Sequence, residues 1–290
     1  MADFVIVTDA TSDLTPALVE ELGVIVLPMP FTVDGKDYFN YPDSREMDPH
    51  VFYDLLRAEK QSTTAQLTTA VFIDAFSPFL EEGKDVLYMA FSSALSGTYD
   101  SSRMAAEELR GKYPDRKILP VDTKAASMGQ ALMVYYAAQQ KKAGKTIDET
   151  ASYVEENRLK IAHWFTVDDL NHLKRGGRVS SAAALFGSLL GIKPVLHVDD
   201  EGRLIPMSKV RGRENALKAL VDRMEETALN PKTDMVFISH GDDPAAAARV
   251  EQMVKDRLGV PTVITGPIGP VIGSHSGPGT VALFFLASRR

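Results

Sequence analysis

Two short segments of the chain are rich in hydroxyl side chains, residues 62–69 (STTAQLTT) and residues 91–99 (FSSALSGTY). The second segment directly follows an apolar run, and both segments lead into helical patterns. A helix N-terminus presents unpaired N–H groups and a partial positive charge, so hydroxyl donors beside it suit a bound anion. Serine and threonine before a helix also act as simple caps. The two segments therefore predict either an anion site or ordinary helix caps.

A third segment, residues 273–280 (GSHSGPGT), places His275 among glycines that let a backbone approach a ligand closely. The composition of this segment predicts a turn at the start of a helix. A histidine in such a turn is either a structural hydrogen-bonding group or a donor to a bound anion, and both interpretations stay open.

A serine hydrolase is an alternative interpretation, with Ser93 or Ser96 as the nucleophile and His275 as the base. Residues 94–98 (ALSGT) depart from the G-x-S-x-G elbow at their first and last positions. The spacing supports neither Asp122 nor Asp9 as the acidic member of a triad. The motif therefore favours catalysis only weakly.

Other kinds of chemistry find no support in the sequence. The chain has no cysteine, which excludes disulfides, thiolate metal sites and cysteine nucleophiles. None of its six histidines forms a short-spaced pair with a carboxylate of the kind that zinc sites use. The chain contains neither a Walker-type phosphate loop nor a G-x-G-x-x-G motif after a strand. We therefore expect no metal and no cofactor.

Composition narrows the class of protein further. With 290 residues, 44% of them hydrophobic and 24% charged, the chain is typical of a folded protein with two domains. Its net charge of −7 argues against a general nucleic-acid binder. It lacks an apolar run of about 18 residues, so no transmembrane segment is predicted. The apolar run near the N-terminus is too short for a signal peptide. We expect a cytoplasmic protein.

Hydrophobic periodicity predicts an α/β fold with two different halves. In the first half, strands are predicted at residues 4–8, 24–27, 85–91 and 117–121. Helices are predicted at residues 14–22, 49–59, 70–80, 97–109, 125–142 and 147–159, with a polar loop before residue 49. Alternating helices and buried strands are typical of a parallel, Rossmann-like sheet covered on both faces. Pro120 indicates an edge strand or a bend, and Pro78 indicates a bend or an end of its helix.

The second half predicts a mixed or antiparallel sheet with helices. Strands are expected at residues 161–167, 193–198, 203–209, 235–239 and 262–265, and helices at residues 214–227 and 245–258. A hairpin is predicted across residues 199–202. The pattern places the domain boundary near residue 160, which gives an N-terminal parallel α/β domain of residues 1–160 and a C-terminal mixed-sheet α/β domain of residues 161–290.

Three further segments each allow two interpretations. The small and apolar residues 181–192 indicate a core helix or the wall of a tunnel. The basic loops at residues 174–178 and 209–213 are either solvated turns or a local docking patch for an acidic partner. A module that only binds other proteins through these loops is therefore a further alternative.

Five motifs that occur in order along the chain resemble those of the DegV family. They are residues 7–14 (VTDATSDL), 92–99 (SSALSGTY), 175–180 (RGGRVS), 209–212 (KVRG) and 275–280 (HSGPGT). The characterised members of this family are bacterial fatty-acid-binding proteins of the FakB type. The resemblance covers essentially the whole chain, and it implies the two-domain DegV (EDD) fold with a long-chain fatty acid in a tunnel between the domains.

The resemblance also implies roles for individual residues. Thr64, Ser93 and His275 fall on the family positions that hold the carboxylate. This chain has Ala65 where the family usually has serine, so Thr63 competes with Thr64 for the first of these roles.

The motifs imply supporting and partner-binding residues as well. Ser96, Gly97 and Gly277, with Thr63, belong to the supporting loops of the site. Arg178 and Arg211 fall on two loops proposed to meet an ATP-dependent fatty-acid kinase. That kinase would convert the bound acid to an acyl phosphate for phospholipid synthesis, so ATP and metal would belong to the partner and this chain would not be an enzyme.

Overall fold

The computed structural model of the protein describes residues 3–179 and 191–290. Ser180 and most of the apolar segment at residues 181–192 therefore lie outside the described residues. In chain order, the strands are β1 (Phe4–Asp9), β2 (Ile25–Leu27), β3 (Met29–Val33), β4 (Lys36–Asn40), β5 (Ser62–Thr64), β6 (Asp85–Ala90), β7 (Ile118–Asp122), β8 (Ile161–Thr166), β9 (Ile192–Val198), β10 (Leu204–Arg211), β11 (Val236–His240), β12 (Val263–Pro267) and β13 (Val281–Leu286).

Helices lie between most of these strands along the chain. They are α1 (Pro16–Leu22), α2 (Pro49–Arg57), α3 (Thr69–Glu81), α4 (Thr98–Lys112), α5 (Met128–Lys142), α6 (Ile147–Asn157), α7 (Asn171–Arg175), α8 (Arg213–Thr227), α9 (Pro244–Leu258) and α10 (Pro270–Ser276).

The first sheet is parallel, as the sequence predicts. Its strand order is β2-β1-β6-β7, and every pairing within it is parallel. All six residues of β6 are buried, as expected for an inner strand covered on both faces. Pro120 lies in the edge strand β7, where its missing N–H disrupts no inner pairing. Pro78 lies inside α3, which continues to Glu81, so the helix does not end at the proline.

The second sheet is mixed, with the order β10-β9-β8-β13-β11-β12. The pairing of β11 with β12 is parallel and the other pairings are antiparallel, including the predicted β9–β10 hairpin. The apolar residues after the glycine-rich segment form β13, which pairs with β8 on one side and β11 on the other. The prediction that the segment around His275 starts a helix was wrong. His275 lies in the last turn of α10, and an inner strand follows it.

A third sheet has the order β4-β3-β5; β3 and β4 lie within the predicted polar loop before α2, and β5 follows α2. Alternate residues of β3 are buried, so one face of this small antiparallel sheet packs on the protein. Helix α10 contacts β3, β5 and α2. This sheet therefore holds the residues of β5 beside the C-terminal segment that carries His275.

Helix α5 lies between the two large sheets. It contacts β1 and β6 of the parallel sheet and β8, β11 and β13 of the mixed sheet. Because both sides of α5 are covered, the residues of its first two turns are buried on all sides rather than along one stripe. A single apolar cluster includes Ile6, Leu132, Phe165 and Phe284, from both halves of the chain. The division at residues 160 and 161 stays a prediction.

The helices in the described parts of the chain are all too short or too polar to cross a membrane.

Candidate functional site

A cavity of about 260 Å³ lies between α10, the loops after β1 and β6, and one face of the mixed sheet. Ligands of parallel α/β sheets bind at the carboxyl ends of the strands, and the loops after β1 and β6 are such ends. Most of the lining is apolar; examples are Phe91, Leu95, Phe165, Val271 and Phe284. The cavity therefore suits a ligand that is largely apolar.

Thr64 and His275 meet at the wall of this cavity. The Thr64 Oγ1 and His275 Nε2 atoms lie 2.8 Å apart, and the tautomer of the ring decides which of them donates. Successive side chains of a strand point to opposite faces. Thr64 therefore faces the cavity from β5, whereas the neighbouring Thr63 is exposed to solvent. Of the two threonines that the sequence left as competitors, the geometry favours Thr64.

His275 is neutral at physiological pH. Burial, and then the positive charge of Arg178, lower the pKa of its imidazole to about 4. The backbone of Gly176 lies against the ring, where any larger residue would overlap Nδ1. Nδ1 is buried and has no hydrogen-bond partner among the described residues. A neutral imidazole has one N–H group, which can donate a hydrogen bond to an anion. Its other ring nitrogen can accept a hydrogen bond from a donor of the protein.

Arg178 carries the single formal charge among the described residues that line the cavity. Its guanidinium donates from Nε to the Leu95 carbonyl oxygen at 3.2 Å and from Nη1 to the Gly176 carbonyl oxygen. Burial lowers the pKa of this guanidinium from its ordinary value. The sequence motif assigned Arg178 only to partner docking, and that role stays a prediction. Its place in the cavity was missed because no local pattern shows which way the side chain points.

The supporting loops approach the same part of the cavity. Ser96 and Gly97 line the cavity, and the Ser96 and Thr98 hydroxyls lie 2.9 Å apart. A side chain at Gly97 would collide with the amide of Gln66, which also lines the cavity. Gly277 ends α10 with φ +78°, a left-handed conformation that favours glycine. Gly97 therefore leaves space for the Gln66 amide, and Gly277 provides the backbone conformation that ends α10.

Ser93 lies apart from the Thr64–His275 pair. It is exposed, and its hydroxyl donates to Asp122 Oδ2 at 2.6 Å. Ser93 is not among the residues that line the cavity. The hydrogen bonds of the described residues join neither Ser93 nor Ser96 to His275. The serine–histidine pair that a hydrolase needs is therefore not formed in this structure.

Asp13, in the first of the five motifs, is a buried carboxylate that bonds to the residue before α10. Asp13 Oδ1 accepts the backbone N–H of Gly269, the residue that precedes α10, at 2.9 Å. Its Oδ2 accepts the hydroxyl of Ser127 at 2.6 Å. Burial raises the pKa of Asp13 to about 8, although these hydrogen bonds act in the opposite direction.

A second contact holds α10 beside the three-stranded sheet. The Ser62 and Ser274 hydroxyls lie 2.6 Å apart and join β5 to α10.

One group of residues has the composition of a metal site, away from the cavity. His50, Asp54 and Asp242 place potential ligand atoms within 4.8 Å of one another. Arg57 bonds to both carboxylates, from Nη1 to Asp54 Oδ1 at 2.9 Å and to Asp242 Oδ2. The guanidinium already supplies a cation to these carboxylates, so the group forms an ion-pair network between α2 and the loop after β11.

Comparison with known proteins identifies the family. The family model described as "Uncharacterised protein, DegV family" matches residues 3–288. The chain belongs to the DegV family. A DegV domain-containing protein of Clostridium perfringens is 47% identical over 290 residues, which is all of this chain and 99% of that protein. A DegV domain-containing protein of Streptococcus pyogenes is 35% identical over 98% of both chains.

Solved structures of DegV proteins share this fold. A Thermus thermophilus DegV family protein, described for its fatty acid binding, matches with a TM-score of 0.88 and 32% identity over 98% of this chain and 99% of its own. A Thermotoga maritima protein, described as revealing a fatty acid binding function, matches with a TM-score of 0.86 and 29% identity over 99% of this chain and 100% of its own. These matches confirm the predicted fold class of a parallel sheet followed by a mixed sheet.

Proposed function

We propose that this DegV protein binds a long-chain fatty acid in the cavity beside α10. The observation that carries the proposal is the distribution of charge in the cavity. Apolar residues form most of the lining, its other polar side chains are uncharged, and its one formally charged described residue, Arg178, lies near the Thr64–His275 pair. One cationic group in an apolar cavity matches a ligand with one anionic head and a long apolar tail. Fatty-acid binding by the two related DegV proteins supports the same ligand class.

Apolar burial would dominate the affinity. Each buried methylene contributes about 0.8 kcal/mol, so ten methylenes contribute on the order of 8 kcal/mol before the costs of binding. Hydrogen bonds to the charged head group would contribute about 1.5–3 kcal/mol each, and their main effect is on orientation.

In the proposed complex, Thr64, Ser93 and His275 hold the carboxylate. Thr64 and His275 already lie together in the cavity wall, and Arg178 offers a positive charge close to them. Ser93 would have to release Asp122 in order to donate to the ligand. The head group would then lie where a partner can reach one of its oxygens.

The direct test is a calorimetric titration of hexadecanoic acid into the delipidated chain. We expect wild-type protein to bind it, and His275→Ala to bind it at least about tenfold more weakly, because a hydrogen bond to the charged head is lost. His50→Ala is the matched control, since His50 is an exposed histidine away from the cavity. Equal affinities of His275→Ala and wild type would overturn the assignment of His275, and the absence of binding by wild type would overturn the proposed function.

We further propose that the chain serves as the lipid-presenting subunit of an ATP-dependent fatty-acid kinase. The chain itself would then be no catalyst and would need no cofactor, and the acyl phosphate would be made in the cytoplasm, where the partner holds ATP. Arg211 is exposed at the end of β10, which supports a docking role for its loop.

A charge reversal tests this docking role. With the kinase of the same organism, ATP and bound fatty acid, we expect Arg211→Glu to reduce acyl-phosphate formation at least about tenfold while fatty-acid affinity is unchanged. Lys36→Glu, an exposed charge reversal on the three-stranded sheet, is the control and should behave like wild type. Normal phosphorylation with Arg211→Glu would exclude this loop from the docking surface.

A further inference from the structure

Asp122, at the carboxyl end of β7, holds the loop that carries Ser93. Its side chain is almost fully buried, with 6% of the residue exposed. Oδ1 accepts two backbone N–H groups, from Lys124 at 2.9 Å and from Ser93 at 3.2 Å. Oδ2 accepts the Ser93 hydroxyl at 2.6 Å. One carboxylate therefore fixes both the backbone and the side chain of Ser93.

The hydroxyl of Ser93 has a single proton, and in this structure that proton is donated to Asp122. A fatty-acid carboxylate at physiological pH only accepts hydrogen bonds. Ser93 can donate to such a ligand only by breaking its hydrogen bond with Asp122. The bond being broken is itself charge-assisted, so its loss offsets much of the gain from the new contact.

We propose that Asp122 is a positioning residue that competes with the ligand for the Ser93 hydroxyl proton and thereby limits the affinity for the fatty acid. The inference rests on the proposed function, because it needs Ser93 to contact the carboxylate. A carrier that passes its ligand to a partner must also release the head group. An acceptor inside the protein that competes for the Ser93 proton lowers the affinity for the head group and so favours its release.

One substitution at Asp122 can separate its two roles, which are to hold the backbone of the Ser93 loop and to accept the Ser93 hydroxyl proton. In Asp122→Asn, the amide oxygen can stay at the position of Oδ1 and keep both backbone hydrogen bonds. The amide NH₂ group then takes the position of Oδ2 and donates to the Ser93 oxygen, which reverses this hydrogen bond. The Ser93 proton becomes free for the ligand, and a negative charge near the head group disappears.

The experiment is a titration of hexadecanoic acid into four forms of the delipidated full chain: wild type, Asp122→Asn, Ser93→Ala and the double variant. We expect Asp122→Asn to bind about tenfold more tightly than wild type. In the Ser93→Ala background, the same substitution should give a clearly smaller gain, because the competition for the Ser93 proton is gone and only the removal of the negative charge remains. Asp37→Asn is the matched control, since Asp37 also accepts a threonine hydroxyl at 2.6 Å, but on the exposed face of the three-stranded sheet.

The outcomes distinguish failure of the proposed competition at Ser93 from failure of the proposed fatty-acid binding. If wild type binds the acid and Asp122→Asn binds no more tightly, the competition is overturned while the proposed function stands. An equal gain in both backgrounds would also overturn it, because removal of charge alone would then explain the effect. If wild type takes up no fatty acid, the proposed function itself fails. A purely structural role for Asp122 predicts weaker binding and a lower melting temperature, never a Ser93-dependent gain.

Discussion

Thr64 and His275 are separated by 211 positions in the sequence, yet their side chains form one hydrogen bond in the wall of an apolar cavity. The pair is uncharged, because burial and Arg178 hold the pKa of His275 at about 4. A neutral donor pair near a single cation can bind a carboxylate without placing several buried positive charges side by side, which would be costly in an apolar site. The residues of the proposed head-group site are thus polar and carry little charge.

Asp13 gives a prediction at the same scale, because its ionisation is linked to folding. Its pKa is about 8 in the folded protein and about 3.9 in the unfolded chain. Between these values the folded state holds a proton that the unfolded state has released. The contribution of this group to stability is therefore full below about pH 4, and it falls as the pH rises to about 8.

We expect Asp13→Asn to remove this dependence, since asparagine resembles the protonated carboxyl and can still accept the N–H of Gly269. The melting temperature of the variant should exceed that of wild type at pH 8 by on the order of 5 °C, and the difference should shrink toward pH 4. Thermal unfolding of both proteins across this range measures the effect, with Asp37→Asn as an exposed control. A difference in melting temperature that does not grow between pH 4 and pH 8 would contradict the raised pKa of Asp13.

The sequence indicates candidate head-group residues but not the buried groups that surround and position them. The family resemblance implied Thr64, Ser93 and His275, and the structure brings Thr64 and His275 together while Ser93 lies apart from them. Asp13 and Arg178 could not be placed in this way, because burial and side-chain direction depend on contacts between distant parts of the chain. Asp122 was considered only as a triad member, and its actual contact is with Ser93.

At the scale of elements, prediction succeeded where local signals are strong. Helix α1 begins after Thr15 with Pro16 at its first position and ends at Gly23, which has φ +62°. A threonine before a helix, a proline at its first position and a glycine after its last are strong local signals, which explains why a helix was predicted at residues 14–22. The inner strands of the parallel sheet were equally clear, because burial on both faces requires continuous apolar runs.

Prediction of secondary structure from the sequence failed for elements that form only through contacts with other elements. Strands β3, β4 and β5 are short, and β4 and β5 are largely polar, so only their mutual pairing and the packing of β3 reveal them as a sheet. Helix α10 has seven residues and includes Gly273, whose close packing against Tyr53 and Phe52 leaves no room for a side chain. The glycines of residues 273–280 suggested a turn at the start of a helix, whereas Gly273 serves packing inside the helix and Gly277 ends it.

At the scale of the whole molecule, the cavity is part of a core that both halves build. Helix α5 joins the two large sheets, and residues from both halves line the cavity. A fatty acid in this cavity would extend the apolar core. Because a ligand that binds only the folded state stabilises it, the proposed complex is also the more stable form of the protein.

Identification of the lipid that purifies with the protein tests the central claim most directly. The protein would be extracted with organic solvent after native purification, and the extract and a matched blank would be analysed by mass spectrometry. We predict a long-chain fatty acid in near-stoichiometric amount. An extract without fatty acid, from protein that also fails to take up added hexadecanoic acid, would contradict the account.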